Sequence, residues 1–213
     1  MTQQIPEHPL FRLPGGALGA HAYLASLPSP TASGLEERIR ALELERAASG
    51  FLSRYACLFD SKDLDGLMAL YSDDCVLVNT SGTYVGTPAI RGLQEADMPK
   101  TEISFHRFAN ILVREDPAAT DMTWVAAYMY NLAIRGEEPY GTVGTILAAL
   151  RGDVPDLRAT AVRITIDSRH TLEPKLVPRG DAGPYAASQT SSYELTGQPP
   201  RFPASRAALG DGR

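Results

Sequence analysis

Long apolar runs are missing from this chain of 213 residues. No stretch approaches the roughly 20 consecutive apolar residues that a membrane-spanning helix needs, so a membrane is not an expected partner. Runs of lysine or arginine are missing too, and the formal net charge is −5. A phosphate backbone would find no concentrated positive charge, which argues against nucleic acid as a partner. Cysteine is scarce: Cys57 and Cys75 form neither a CxxC pair nor a disulfide framework, and both are expected to be small buried core residues. The opening "MTQQIPEHPLFRLPGG" lacks the basic and apolar regions of a secretion signal, so the expected location is the cytoplasm. Phosphate-loop and metal signatures are absent as well. "RLPGGALGA" and "GTYVG" lack the Gly-Lys-Ser/Thr of a nucleotide loop, and His106 has no ligand-type partner two to four residues on. Neither metal nor cofactor is expected.

What is present is ordinary globular composition, 44% hydrophobic and 21% charged, enough for one sizeable core. Composition divides the chain into an irregular N-terminal arm (1–34), a body (35–172) and a Pro/Gly/Ser-rich C-terminal tail (173–213) with scattered aromatic anchors. The arm contains one apolar patch, "ALGAHAYLASL", able to pack on the body or on a second subunit. In the body, "GLEERIRALELERAASGFLSRYACLFD" repeats apolar residues at three- and four-residue steps, the period of a long amphipathic helix. Gly50 is its weak point. A shorter helix is expected through "DLDGLMALYS", capped by Asp60 or Ser61. "CVLVNTSGTYVG" reads as a small hairpin, and "PAIRGLQEAD" as a third helix with Pro88 in its first turn. Four long strands follow, "ISFHRFANILVRE", "MTWVAAYMYNLAIRG", "YGTVGTILAALRG" and "RATAVRITIDSRHTLE". Three helices and then antiparallel strands make an α+β layer, with the helices covering one face of a curved, antiparallel or mixed sheet.

This order, with "FDSKDLDGL" at the helix junction and "FHRFANILV" opening the first long strand, resembles the SnoaL-like branch of the NTF2-like superfamily. The junction looks like that of scytalone dehydratases, and the spacing of Tyr55 and Asp60 is similar to that in bile-acid 7α-dehydratases. The resemblance implies a cone between long helix and sheet that serves as the active site, with Asp60 and His106 meeting inside it. It also implies a homo-oligomer, a trimer in preference to a dimer, and a tail acting as a pocket lid. The sequence departs from scytalone dehydratases at Phe59 and Asn79, where those have tyrosines, and lacks their second histidine on the next strand.

The chemistry can be argued from the residues themselves. Imidazole, with an ordinary pKa of about 6.5, can take a proton from carbon beside a polarised carbonyl, and His106 is placed to be that base. Asp60 would accept the other ring N–H, fixing the tautomer and stabilising the imidazolium. Tyr55 would donate to the carbonyl. Such a set eliminates water, or isomerises or cyclises a ring-bearing, mostly apolar small molecule. Trp124, Tyr128 and Tyr130 share one strand face and, if that face is inward, join Asn79 and Tyr84 in binding the substrate. Plain readings compete: Asp60 as a helix cap, Tyr55 and the aromatics as core packing, His106 as a satisfied core histidine. Tyr55 and Asp60 also lie about 140° apart around an ideal helix, so the helix must end near Asp60 for both to face one site. His8 and His21 are expected in solvent, and His170 near the cone's mouth. Two further functional classes stay open, a non-catalytic ligand-binding or subunit-interface protein and an epoxide hydrolase built on an Asp-Arg-Asp set that would need Arg107.

Overall fold

A computed structural model of the protein describes residues 17–27, 34–116, 119–136 and 138–171. The tail and His8 lie outside the described residues. The helix expected from periodicity, α2 (Leu35–Asp60), is unbroken through Gly50 and buries Ala48, Phe51, Leu52 and Tyr55. Only its C-terminal half is covered, since Leu35 and Leu42 remain 71% and 66% exposed. After it come α3 (Leu64–Ala69), the strands β1 (Tyr71–Asn79) and β2 (Gly82–Val85), and α4 (Thr87–Asp97). Pro88 sits in the first turn of α4, where its missing N–H has no helical partner to lose. Four long strands complete the body: β3 (Ile103–Asp116), β4 (Ala119–Arg135), β5 (Glu138–Arg151) and β6 (Arg158–Thr171).

The six strands form one mixed sheet in the order β2-β1-β6-β5-β4-β3, with β1 parallel to β6 and the other pairs antiparallel. Its inner face buries Leu77, Val125, Ala127, Ile146 and Val162 against α2 and Leu67 of α3. The fold is thus the α+β arrangement expected, with the β1–β2 hairpin set before the third helix of the body and four long strands after it.

The N-terminal arm is not wholly irregular. Its apolar patch is a helix, α1 (Ala17–Ser26), whose Leu24 is buried with Met122, Trp124, Ala126, Leu147 and Ala149 on the outer face of the sheet. This explains why the "VGTILAAL" strand is apolar on both sides: the chain's own α1 covers the second face. His21 is accordingly half-buried rather than in solvent, its ring edge-on to Tyr128 with centroids 4.6 Å apart. The cysteines separate. Cys75 is buried, and burial, aided by the charge of Asp74, pushes its thiol up to about 12, but Cys57 is exposed on α2.

One irregularity of β3 matters for its facing. Asn110 has φ 51°, and the pairing with β4 slips between Ala109 and Leu112. This is a bulge, and it lets Phe108, Ile111 and Val113 all pack on the inner core although 108 and 111 differ in parity. Asparagine tolerates the left-handed region better than branched residues. Asn110→Val is therefore expected to destabilise the protein by about 1–2 kcal/mol. Asn110→Gly should be close to neutral, and urea unfolding of both variants checks the difference.

Candidate active site

The α2–α3 junction decides where Asp60 points. The helix ends at Asp60 in a two-bond C-terminal motif: the Lys62 amide donates to the Phe59 carbonyl, and the Asp63 amide to the Leu58 carbonyl. Lys62 occupies the left-handed position, φ 64°, where glycine is usual. Asp63, not Asp60 or Ser61, caps α3, its Oδ1 accepting from the Gly66 amide at 2.9 Å. The carboxylate of Asp60 is thereby free of capping, and the helix end turns it toward β3.

There it meets three donors. His106 Nδ1 lies 2.6 Å from Asp60 Oδ1, the His106 amide donates to Oδ2 at 2.8 Å, and the Ser104 hydroxyl donates to Oδ1 at 2.9 Å. The imidazole is 7% exposed and the carboxylate 21%, so the pair is largely shielded from water. Burial pulls the Asp60 carboxyl upward, but the bonds from the His106 ring and amide, the charge of His106 and the Ser104 hydroxyl outweigh it and hold the group below its ordinary 3.8. An ionised carboxylate only accepts hydrogen bonds, so Nδ1 carries the proton of the neutral ring and Nε2 is left as the basic nitrogen for the cavity.

Tyr55, one and a half turns earlier, is 2% exposed and joins the site by its ring, 6.3 Å from that of His106 and edge-on to it. Burial first, then the nearby Asp60 charge, raises its phenol far above 10.0, against a small lowering by Tyr71. It is a neutral donor at any working pH. Tyr71 is itself raised, by burial and then by Tyr55, and its hydroxyl has no well-formed bond. Phe59 lies closer to the dyad, its ring centroid 4.7 Å from that of His106.

Tyr55, Phe59, Ser104 and His106 line a cavity of about 490 Å³. Its apolar wall comes from Phe59, Leu77, Leu93, Met129 and Ile164, its polar wall from Asn79, Gln94, Asn131 and Thr142, and exposed Arg135, Asp167 and Arg169 mark its open end. Tyr140 also lines it, with the Arg169 guanidinium 4.0 Å from its ring centre.

Of the residues singled out from sequence, His106, Tyr55 and Asn79 line this cavity, and Asp60 stands behind its wall, bonded to His106 and Ser104. Asn79 spends its side-chain carbonyl on the β1–β2 turn, accepting from the Ser81 amide and hydroxyl at 2.9 and 2.6 Å. Tyr84 is not among the lining residues; its phenol lies 3.0 Å from the Ser81 hydroxyl. Trp124, Tyr128 and Tyr130 do not reach the cavity, because they occupy the outer face of β4. Trp124 and Tyr128 meet α1, and Tyr130 is 38% exposed. The inward set of that strand is Val125, Ala127, Met129 and Asn131, so the pocket is less aromatic and more polar than expected. His170 is exposed beside Tyr130, away from the cavity wall. Arg107 is exposed too and absent from the lining, so it supplies no part of an Asp-Arg-Asp set in this cavity. Ser104, Phe59 and Asn131 were the residues missed. Ser104 and Asn131 could have been found by parity, Ser104 lying two residues before His106 and Asn131 directly opposite it across the β3–β4 pair.

Residues 40–168, more than half of the chain, match the SnoaL-like domain. The chain belongs to the SnoaL-like family. Solved structures share the fold of this SnoaL-like chain. Hexachlorocyclohexane dehydrochlorinase LinA type 2 superposes with a TM-score of 0.56 at 16% identity, covering 65% of this chain and 99% of its own. A provisionally assigned scytalone dehydratase from Novosphingobium aromaticivorans gives 0.54 at 14% identity, over 60% and 87% of the two chains. ActVI-ORFA from Streptomyces coelicolor gives 0.50 at 16% identity, over 58% and 97%. At these identities the likeness speaks for the fold. No curated protein matches the chain. Among the described residues, no helix is long and apolar enough to cross a membrane.

Proposed function

We propose that this SnoaL-like protein is a cofactor-independent acid–base enzyme that moves a proton at carbon beside a carbonyl, eliminating water from a ring-bearing hydroxy-carbonyl compound. The observation that carries this reading is the 2.6 Å contact between His106 Nδ1 and Asp60, which leaves Nε2 for the pocket. A separation beyond about 6 Å would have removed the dyad from consideration. In the proposed step the substrate carbonyl accepts from the Tyr55 hydroxyl while Nε2 takes the proton from the adjacent carbon, and the electron pair of the C–H bond becomes an enolate. Asp60 stabilises the imidazolium so formed. The enolate then expels the hydroxyl one carbon further on, which takes the proton from Nε2 and leaves as water. Proton return to another carbon, or attack of the enolate on a second carbonyl, would make the same machinery an isomerase or a cyclase. The mixed lining favours a ligand with an apolar ring beside Phe59 and Met129 and polar groups toward Arg135 and Arg169.

Tyr55→Phe keeps the ring packing and removes the carbonyl donor. Turnover is expected to fall about 10²–10³-fold with KM changed much less, as loss of a transition-state donor requires. Steady-state kinetics on a hydroxy-carbonyl substrate measures it. An unchanged kcat would take Tyr55 out of the mechanism.

The proposed assembly is a homo-oligomer, a trimer in preference to a dimer, held by the part of the outer face that α1 leaves open. Phe105, Tyr130 and Val143 lie together there, 52%, 38% and 41% exposed, with Tyr130 and Val143 paired across β4 and β5. Sedimentation equilibrium is expected to give the oligomer for the wild type and a smaller species for Tyr130→Lys. A monomeric wild type contradicts it.

A further inference from the structure

Lys62 does not line the main cavity, yet its surroundings constrain it. It occupies the left-handed position that ends α2, where a lysine is strained and a glycine would not be. Its side chain is half-buried, with Nζ 5.6 Å from the centre of the Phe59 ring and 3.4 Å from Ser104 Oγ. It reaches Ser104 from a second cavity, of about 520 Å³, whose lining Gln94 and Thr101 it shares with the main pocket. The ammonium thus meets Ser104 without itself lining the main pocket.

The donor inventory gives this contact a direction. An ammonium has hydrogens and no lone pair, so Ser104 Oγ must be the acceptor. A hydroxyl that accepts from Lys62 still has one proton to place, and Asp60 Oδ1 at 2.9 Å takes it. We infer that Lys62 is a positioning residue whose ammonium, acting through Ser104, orients the hydroxyl proton onto Asp60 and holds that carboxylate in its ionised, histidine-accepting form. Burial lowers the lysine below its ordinary 10.5, while the charges of Asp60 and Asp97 oppose the lowering. Glu95 and Glu102, at the wall of the second cavity, are the other acidic groups facing it. A lysine on backbone that favours glycine fits a role for its side chain. The inference rests on the dyad reading in that Asp60 is the group acted on.

The test is read without a substrate. The Asp60 carboxyl titration is followed by carbon NMR in the full chain and in Lys62→Met, Lys62→Gly and Lys62→Arg, with thermal unfolding of each. Both variants that lose the cation should titrate higher at Asp60 by at least roughly 0.5–1 pH unit, the size of a unit charge removed at several ångströms in water and the lower bound for a pair shielded from it. Lys62→Arg should restore the wild-type midpoint. Lys62→Gly should melt about 2–4 °C above Lys62→Met, because it relieves the left-handed strain while sharing the altered titration. That pairing separates a positioning role from a structural one. An Asp60 midpoint unchanged in Lys62→Met and Lys62→Gly overturns the inference. Turnover of Asp60→Asn is a separate readout, and its retention would count against the dyad and not against the coupling of Lys62 to Asp60.

Discussion

His106→Ala is expected to lower turnover by about 10²–10⁴-fold and to leave a folded protein. The size follows from asking one imidazole both to take the carbon proton and to deliver it to the departing hydroxyl. The side chains packed beside its ring do not replace it. Phe59 and Met129 have no basic atom, and Tyr55, raised by burial and by Asp60, holds its proton too tightly to act as a base. The fold should survive, because Asp60 keeps the amide of residue 106 and the Ser104 hydroxyl as donors and is not left a bare buried charge. Circular dichroism alongside kinetics checks both halves, and unchanged turnover would remove His106 from the mechanism.

Asp60→Asn is the second large effect, and it acts through the tautomer. The amide that replaces Oδ1 or Oδ2 has two hydrogens to donate. Turned toward Nδ1 it stabilises the ring protonated at Nε2, the wrong nitrogen for a base facing the pocket. Turned the other way it keeps the tautomer but no longer offers a negative charge to the imidazolium. Either outcome is expected to cost up to about 10⁴-fold in kcat, the loss found when a triad aspartate is so replaced. The same residue sets a pH signature. Its folded carboxyl lies below the ordinary 3.8, so the stability it contributes is fully present above that value and is lost as pH falls through the folded midpoint. The stability difference between wild type and Asp60→Asn should therefore stay level above about pH 5 and shrink below 3.8. Denaturant unfolding at several pH values measures it. A difference that grows on acidification would reverse the assigned direction.

Much of the fold was legible because its elements are long and strongly periodic. The helix ending at Asp60 and the four strands after Ile103 all appear where alternation and three-to-four-residue spacing put them. The site was legible where a motif bound local geometry to chemistry. Tyr55 and Asp60 could share a site only if the helix stopped at Asp60, and it does. The facing of β4 was not legible for a physical reason: both of its faces are buried, one under α2 and the other under α1, so neither carries the polar alternation that marks a solvent side. The helix α1 was hidden by the proline and glycine around it, and its docking on Trp124 is a long-range contact that no local pattern encodes. Asp63 as the cap of α3 was overlooked among three nearby acids, Asp60, Asp63 and Asp65, of which only the turn at Lys62 selects one. The bulge at Asn110 likewise appears in sequence as one residue of an ordinary strand.

The proton-transfer claim is tested most directly by incubating the protein in D2O with a set of ring-bearing hydroxy ketones and following each compound by mass spectrometry. The wild type is predicted to put deuterium at the carbon beside the carbonyl, or to release water from that compound, and His106→Ala to do neither. Equal exchange or dehydration by His106→Ala would contradict the account.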